Sequence, residues 1–553
     1  SPAYNLPAAV TLEGNLNTVA LEKALQEIIK RHEILRTVFV ETDGIPYQKI
    51  LSEIPFKLEI GDLTKTDNRD IVIVDLINKE SNRYFDLSKG PLISSSLYKT
   101  GADKYLFLFN IHHIISDGWS INVLISELTC LYNSFNKGGG NPLIPLKMQY
   151  KDYVQWHNKI LQNNESAGHR EYWLKKFSGE LSLTEMTPDF KRPVYKTFNG
   201  NVSEIHIPEV LYSEIKKLCL QNGVSLYMFL LAAVNVFITR YTGKNDIIVG
   251  SPVSGRELGD LEGQIGFYVN SILLRNEIKP EEPFSSFLAQ VKHNCIEAYD
   301  HQVFPFDLLI EDLNIPRDTS RNPLFEIMVS LQEDGTDSIK FDGLTTSFLK
   351  PEQVFSKFDL HFNFEESSDS LKLILLYNTD LYEYETINRY LKHLIRLIDN
   401  LVKNPGLEIS KTGIITDEEK EQIIYSFNNT SSDYPRNSTI VELFEHIAEQ
   451  YPDKQAVVYK GIPLSYSQLN EKANQLAVFL KTEMKLQPEE SVAVVMDRSQ
   501  EIIISIIGIL KAGGAYVPVE AKMPAERVNF ILEDVKARIV LTDRNEISYN
   551  HPA

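Results

Sequence analysis

KYLFLFNIHHIISDGWSINVLISELTCLYNSFN, Lys104 to Asn136, is the stretch that decides the fold. Tyr105 to Ile111 is apolar except for Asn110, the composition of a strand covered on both faces rather than one. Ser120 then reads as a helix N-cap, because Leu124, Leu128, Leu131 and Phe135 recur behind it at helical spacing. A buried strand running through HHIISDGW into a helix predicts an α/β protein whose chemistry sits in that turn.

The surrounding text agrees with an α/β reading. Val19 to Arg31 carries Leu21, Ala24, Leu25, Ile28 and Ile29 on one helical face, and Thr37 to Glu41 reads as the strand that follows. KGGGNP (Lys137 to Pro142), Asn163 to Ser166 and Leu183 to Thr197 are irregular connections by composition, and a lobe boundary falls near the last. A second α/β mixture from Asn201 to about Val402 contains a helix capped by Ser225 and an apolar strand from Asp246 to Gly250. The expected layout is 1–180 for one lobe, 181–415 for the other, 416–438 for a linker and 439–553 for a further α/β piece. In that last piece Ala456 to Tyr459, Ser491 to Met496, Ala515 to Val519 and Arg538 to Thr542 are strands separated by helices, which predicts a parallel sheet.

Composition narrows the function. With 56 Lys and Arg against 75 Asp and Glu, the net charge of -19 repels phosphate backbones and anionic lipid, so neither nucleic acid nor a membrane is an expected partner. The longest apolar runs, Leu226 to Ile238 and Ile502 to Leu510, fall short of the ~20 residues that span a bilayer and read as buried helices. Three widely spaced cysteines, Cys130, Cys219 and Cys295, offer neither a disulfide framework nor a CxxC motif, and a reducing, cytoplasmic setting is expected. SPAYNLPAAV carries no signal-peptide pattern, and the expectation is a chain that begins inside a larger one.

His112 and His113 end the buried strand, and alternation along a strand predicts that they face different ways, one of them available for catalysis and the other structural. Asp117 and Gly118 follow at once, so the turn holds the residue types that position an acid or base. No HExxH occurs, since His32-Glu33 continues as Ile34-Leu35-Arg36, and no metal site is expected. GxSxG is missing, and GSPVSG (Gly250 to Gly255) has the wrong spacing for a serine nucleophile. Arg31, His32 and Arg36 are read as a solvated charged face.

RHEILRTVF (Arg31 to Phe39), HHIISDGWS (His112 to Ser120), YKDYVQW (Tyr150 to Trp156), IGFYVNSILLR (Ile265 to Arg275), HQVFPFD (His301 to Asp307) and RDTSRNPLF (Arg317 to Phe325) together resemble the successive core motifs of nonribosomal peptide synthetase condensation domains. The first core motif of that family, expected ahead of PAYNLP, does not occur. The resemblance implies two chloramphenicol-acetyltransferase-like lobes in a V-shaped pseudo-dimer, with HHxxxDG at the centre of a tunnel. It implies amide-bond formation between a donor thioester and an acceptor amine, both on phosphopantetheine arms delivered by carrier proteins, with no cofactor bound covalently to this chain. His113 is then the catalytic histidine and the Gly118 amide a donor to the developing oxyanion. His112 and Trp119 are structural, and Asp117 pairs with Arg275. HQVFPFDLLIEDL and SRNPLFEIM look most like the subtype that takes an L-configured donor. An epimerization-type relative and a catalytically silent docking platform are the alternatives, whereas a heterocyclization domain is disfavoured because that relative replaces both histidines.

LSYSQL (Leu464 to Leu469) and LKAGGAYVPVE (Leu510 to Glu520) resemble the first two core motifs of an adenylation domain, implying a truncated α/β adenylation fragment and, as partners, the rest of that domain and neighbouring synthetase modules. Gly513 and Gly514 read as a helix C-cap and turn. The phosphate loop and later lysine motif of that family do not occur up to Ala553, so these residues are expected to activate no amino acid. Amino-acid-dependent exchange of pyrophosphate into ATP above background would contradict this.

Overall fold

The computed structural model describes residues 2–163, 166–333, 340–349 and 354–543. They form mixed α/β structure in two compact units, Ser1–Ser426 and Phe427–Ala553.

Among the described residues the first unit holds two large sheets and a separate two-stranded hairpin. In the N-terminal one β1 (Asn5–Gly14) pairs antiparallel with β6 (Lys104–His112), β6 antiparallel with β5 (Ile93–Lys99), and β5 parallel with β4 (Glu59–Asp62). Phe107, Phe109 and Ile111 of β6 point to a core shared with the helices Thr18–Arg31 and Gly118–Asn136, while Leu106 and Leu108 pack with Ile77 of Arg69–Ser81. Cover on both faces is what makes the strand apolar at consecutive positions. A hairpin of β2 (Thr37–Thr42) and β3 (Ile45–Ile50) stands apart from that sheet.

The second sheet runs β12 (Val354–Phe355), β7 (Asn199–Ile207), β14 (Leu371–Asn378), β13 (Leu360–Glu366), β10 (Ile327–Glu333), β8 (Asp246–Val253), β9 (Asn270–Glu277). Its core surrounds the helix Leu226–Thr242, in which every residue from Met228 to Thr239 is buried and whose N-cap Ser225 accepts from the Met228 amide. Phe362 and Phe364 of β13 join that core, and His361 and Asn363 alternate with them on the other face.

The lobe boundary expected at 180/181 needs correction. Trp173, on the helix Ala167–Lys176, and Phe177 and Met186 beyond it are part of the second core, so its sequence begins earlier. β11 (Leu344–Leu349) returns to the first sheet, pairing antiparallel with β1, and Phe341 ahead of it enters the first core. Such an exchange leaves no compositional mark. The start of the linker also moves: the helix Asp417–Glu421 is docked on Tyr384–Lys403 through Arg396–Asp417 at 2.9 Å and His393–Glu419 at 2.5 Å.

In the second unit β17 (Ser491–Met496) lies between β18 (Ala515–Glu520) and β19 (Ile539–Thr542), all parallel as expected. Ala456 to Tyr459, expected in that parallel sheet, is not part of it: β15 (Gln455–Tyr459) pairs antiparallel with β16 (Ile462–Ser465), the next stretch of chain, in a separate hairpin. Gly513 caps the helix Gln500–Ala512 at φ +86°, a left-handed conformation that glycine tolerates. Among the described residues no single helix is long and apolar enough to cross a membrane.

Candidate active site

β6 ends at His112, and His113–Ile115 is already a 3-10 turn. Strand alternation therefore does not separate the two imidazoles, and both are half-buried. His112, expected to be structural, has its ring between Tyr4 (6.5 Å, stacked) and Phe85 (6.1 Å, edge-on), and its Nδ1 accepts from the Ile114 amide at 3.1 Å. Burial pushes its pKa down to about 4.

The ring of His113 meets Phe267 edge-on at 5.3 Å, and its Nδ1 lies 2.8 Å from the Ser116 carbonyl. A carbonyl only accepts, so Nδ1 carries the proton and Nε2 keeps its lone pair. Burial lowers the His113 pKa, the Lys357 ammonium adds to that, and Asp117 opposes it. The geometry therefore holds a neutral imidazole with a basic Nε2 near neutral pH.

Asp117, not Ser120, is the N-cap of the helix Gly118–Asn136. Its Oδ1 accepts from the Ser120 amide at 2.8 Å, and the Ser120 hydroxyl, which also accepts from the Gly266 amide at 3.0 Å, lies 2.7 Å from it. Its Oδ2 accepts from the Tyr268 amide at 3.0 Å.

The expected Asp117–Arg275 pair does not form. Arg275 lies on β9 and forms a two-pronged contact with Asp246 on β8, at 2.9 and 2.8 Å. The cation at Asp117 is Arg256, with Nη2 3.2 Å from Oδ1 and both side chains almost fully buried. Arg256 also donates to the Ser120 hydroxyl and the Leu261 and Gln264 carbonyls, and its guanidinium lies 4.0 Å from the Tyr268 ring centroid. Gly255 beside it has φ +63°, and a Cβ there would sit 2.1 Å from the Tyr268 carbonyl oxygen. Arg256 directly follows GSPVSG, a segment weighed in the sequence only as a nucleophile motif. The available signal was an arginine in a glycine-flanked turn just beyond a buried strand.

His32 is also not solvated. At 1% exposed, it accepts from the Ile265 amide at Nδ1 (3.4 Å) and donates from Nε2 to Glu127 (2.8 Å), to which Arg31 also binds. The RHEILR segment thus ties the helix Gly118–Asn136 to the loop that carries Ile265. Trp119 is half-exposed and donates to the Glu262 carbonyl at 2.8 Å. At Gly118 a Cβ would meet no protein atom within 4 Å, so packing does not require this glycine. Phe267 also lines a cavity of about 300 Å³ with Tyr150, Tyr153, Trp156 and His157.

Residues 1–424 match the condensation-domain family. The chain belongs to that family. Residues 444–552, after the condensation domain, match the AMP-binding enzymes. Gramicidin S synthase 2 of Brevibacillus brevis is 37% identical over 549 residues, which is 99% of this chain and 12% of that protein. Bacitracin synthase 2 of Bacillus licheniformis is 39% identical over 543 residues, 98% of this chain and 20% of that protein. The chain thus spans a small part of these relatives. The four-domain nonribosomal peptide synthetase AB3403, bound to AMP and glycine, aligns with TM-score 0.84 at 21% identity over 100% of this chain and 43% of its own. The starter condensation domain of rhizomide synthetase aligns with TM-score 0.64 at 21% identity over 75% of this chain and 93% of its own. At such identities these structures establish the fold of the condensation domain and nothing finer.

Proposed function

We propose that this condensation domain forms an amide bond between a donor acyl or peptidyl thioester and the amine of an acceptor aminoacyl thioester, each held on the phosphopantetheine arm of a carrier protein. The acceptor nitrogen attacks the thioester carbonyl, the C–N bond forms, and the C–S bond breaks to release the donor arm as thiolate. His113 takes the proton that the amine loses. The observation that carries this reading is the His113 imidazole, whose Nδ1 is committed to the Ser116 carbonyl so that Nε2 is the basic atom.

Alignment of two tethered reactants contributes as well, because it makes the encounter effectively unimolecular. The Gly118 amide, in the first turn of a 19-residue helix, supports an oxyanion-donor role because its N–H points out of the helix end. The cavity beside Phe267 is assigned to one of the two arms, and Asp117, Arg256 and Trp119 hold the loop.

Mixing the chain with separately loaded donor and acceptor carriers and weighing the carriers by intact-protein mass spectrometry tests the reading. The donor acyl mass is expected on the acceptor arm. Carrier binding by titration without transfer would establish a docking platform instead, and, with the reaction run in deuterated water, deuterium uptake at an aminoacyl α-carbon without transfer would indicate an epimerization-type relative.

A further inference from the structure

Phe267 is the side chain whose ring meets His113, yet its own hold on the protein is slight. The ring is 39% exposed and, among the described residues, belongs to none of the hydrophobic cores of the first unit. A side chain that does not pack in a core takes its orientation from the backbone that carries it and from the hydrogen bonds on that backbone. The residues on either side are pinned to the turn after β6: the Gly266 amide donates to the Ser120 hydroxyl at 3.0 Å, and the Tyr268 amide to Asp117 at 3.0 Å. Phe267 itself is held by Tyr150, whose hydroxyl donates to its carbonyl at 2.8 Å. The Tyr150 ring closes on the same segment. It meets the Tyr268 ring edge-on at 5.1 Å, and a Cβ at Gly266 would sit 2.4 Å from its Cδ2, so a glycine leaves the room this approach needs.

Tyr150 has a firm base. It opens the helix Tyr150–Gln162 and packs against the first core. Gln149, at the N-cap of that helix, is fastened to RHEILR: it accepts from the Glu33 amide and donates to the Arg31 carbonyl, both at 3.0 Å. YKDYVQW thus reaches His113 through a hydrogen bond and one aromatic ring.

We propose that Tyr150 is a positioning residue of this condensation domain: its hydroxyl, bonded to the Phe267 carbonyl, fixes the Phe267 ring against His113 and thereby the aim of the His113 imidazole. This inference rests on the amide-forming reading, in which His113 takes the proton that the acceptor amine loses. A small displacement of such a group slows a reaction between tethered partners, even when the change lies away from the reacting atoms. The ring contact also shields the imidazole, so a Phe267 free to swing leaves His113 more hydrated. The fold loses little in that state. The bond from Tyr150 lies at an exposed place, where water takes over the Phe267 carbonyl once the hydroxyl is gone.

Tyr150→Phe, Phe267→Ala and the double variant, each in the full chain, test it in single-turnover assays with loaded carriers. The His113 imidazole is titrated alongside by NMR of histidine-labelled protein, its signal identified by its loss in His113→Ala. Tyr150→Phe is expected to slow amide formation by about 10- to 10²-fold, with carrier binding and the melting temperature near those of the parent. Because both substitutions act on one contact, the double variant is expected to be no slower than Phe267→Ala alone. The charged and titratable groups facing His113 are His112, Asp117 and Lys357, and neither substitution alters them. Hydration then sets the sign. Burial is the largest cause of the lowered His113 pKa, so its relief raises that pKa, and the acidic limb of the rate moves to higher pH in both single variants. Unimpaired turnover by Tyr150→Phe, an unmoved His113 titration, a loss that follows the melting temperature, or losses that add in the double variant overturns the proposal. Absence of amide formation by the parent chain sinks the amide-forming reading, and this inference with it; parental turnover with an unmoved His113 titration in Tyr150→Phe sinks this inference alone.

Discussion

His113→Ala is expected to lower amide formation by about 10²- to 10⁴-fold while the unfolding midpoint and carrier binding stay near those of the parent. Activity is exposed to this change because Nε2 is the one basic atom the turn presents with its partner nitrogen already satisfied. Stability is not, because the half-buried ring gives up one hydrogen bond, worth about 0.5 to 1.5 kcal/mol net, and an edge contact with Phe267. The pH dependence has a definite sign. Burial and Lys357 depress the His113 pKa, so the neutral base persists below the ordinary imidazole value of about 6.5, and the acidic limb of the rate falls below that pH. A base shows this limb in single-turnover mixing, separate from titration of the acceptor amine, and His113→Ala loses it. His112→Ala removes the acceptor of the Ile114 amide and the packing of Tyr4 and Phe85, so it is expected to act on the melting temperature first. Full turnover by His113→Ala would refute both a basic and a positioning role.

Elements whose apolar pattern answers to one local surface were legible in the sequence. The strand through Tyr105 to Ile111, the helix capped by Ser225 and the parallel strands at Ser491 and Ala515 all lie where their periodicity puts them. Features that depend on distant chain were not. The return of β11 to the first sheet pairs Leu349 with Ala9, and nothing local marks the change of partner. The cap shifted from Ser120 to Asp117 because both are good caps, and tertiary contacts decided: the Ser120 hydroxyl is spent on Gly266 and Asp117. The two histidines do have different surroundings, but strand alternation is not the reason. Alternation holds while the chain is a strand, and the strand stops between them. His32 looked solvated because helix-end charges usually are, and its burial comes from Glu127 and Ile265, 95 and 233 residues away.

The same distance problem hid the partner of Asp117, and there a substitution separates the two arginines sharply. Arg256→Met is expected to destabilise the first unit by about 3 to 5 kcal/mol, because it strands the Asp117 carboxylate in a site where both side chains of the pair are at most 3% exposed. The loss does not stop at one ion pair: Arg256 also joins Ser120 and two carbonyls of the Leu261 to Gln264 turn, so the loop bearing Phe267 loses its hold on the helix that begins at Gly118. Amide formation is expected to fall with stability, since His113 packs on Phe267. Arg275→Met removes a pair that is more than one-fifth exposed on each side and bridges neighbouring strands of one sheet, so its cost is expected to be at most about 1 kcal/mol. Urea unfolding followed by a probe confined to the first unit checks both values. Equal effects of the two substitutions would remove Arg256 from its bracing role. An unchanged midpoint for Asp117→Ala with lost turnover would move Asp117 from the support of the catalytic loop into the chemistry itself, because a carboxylate that only braces cannot be removed without cost to the fold.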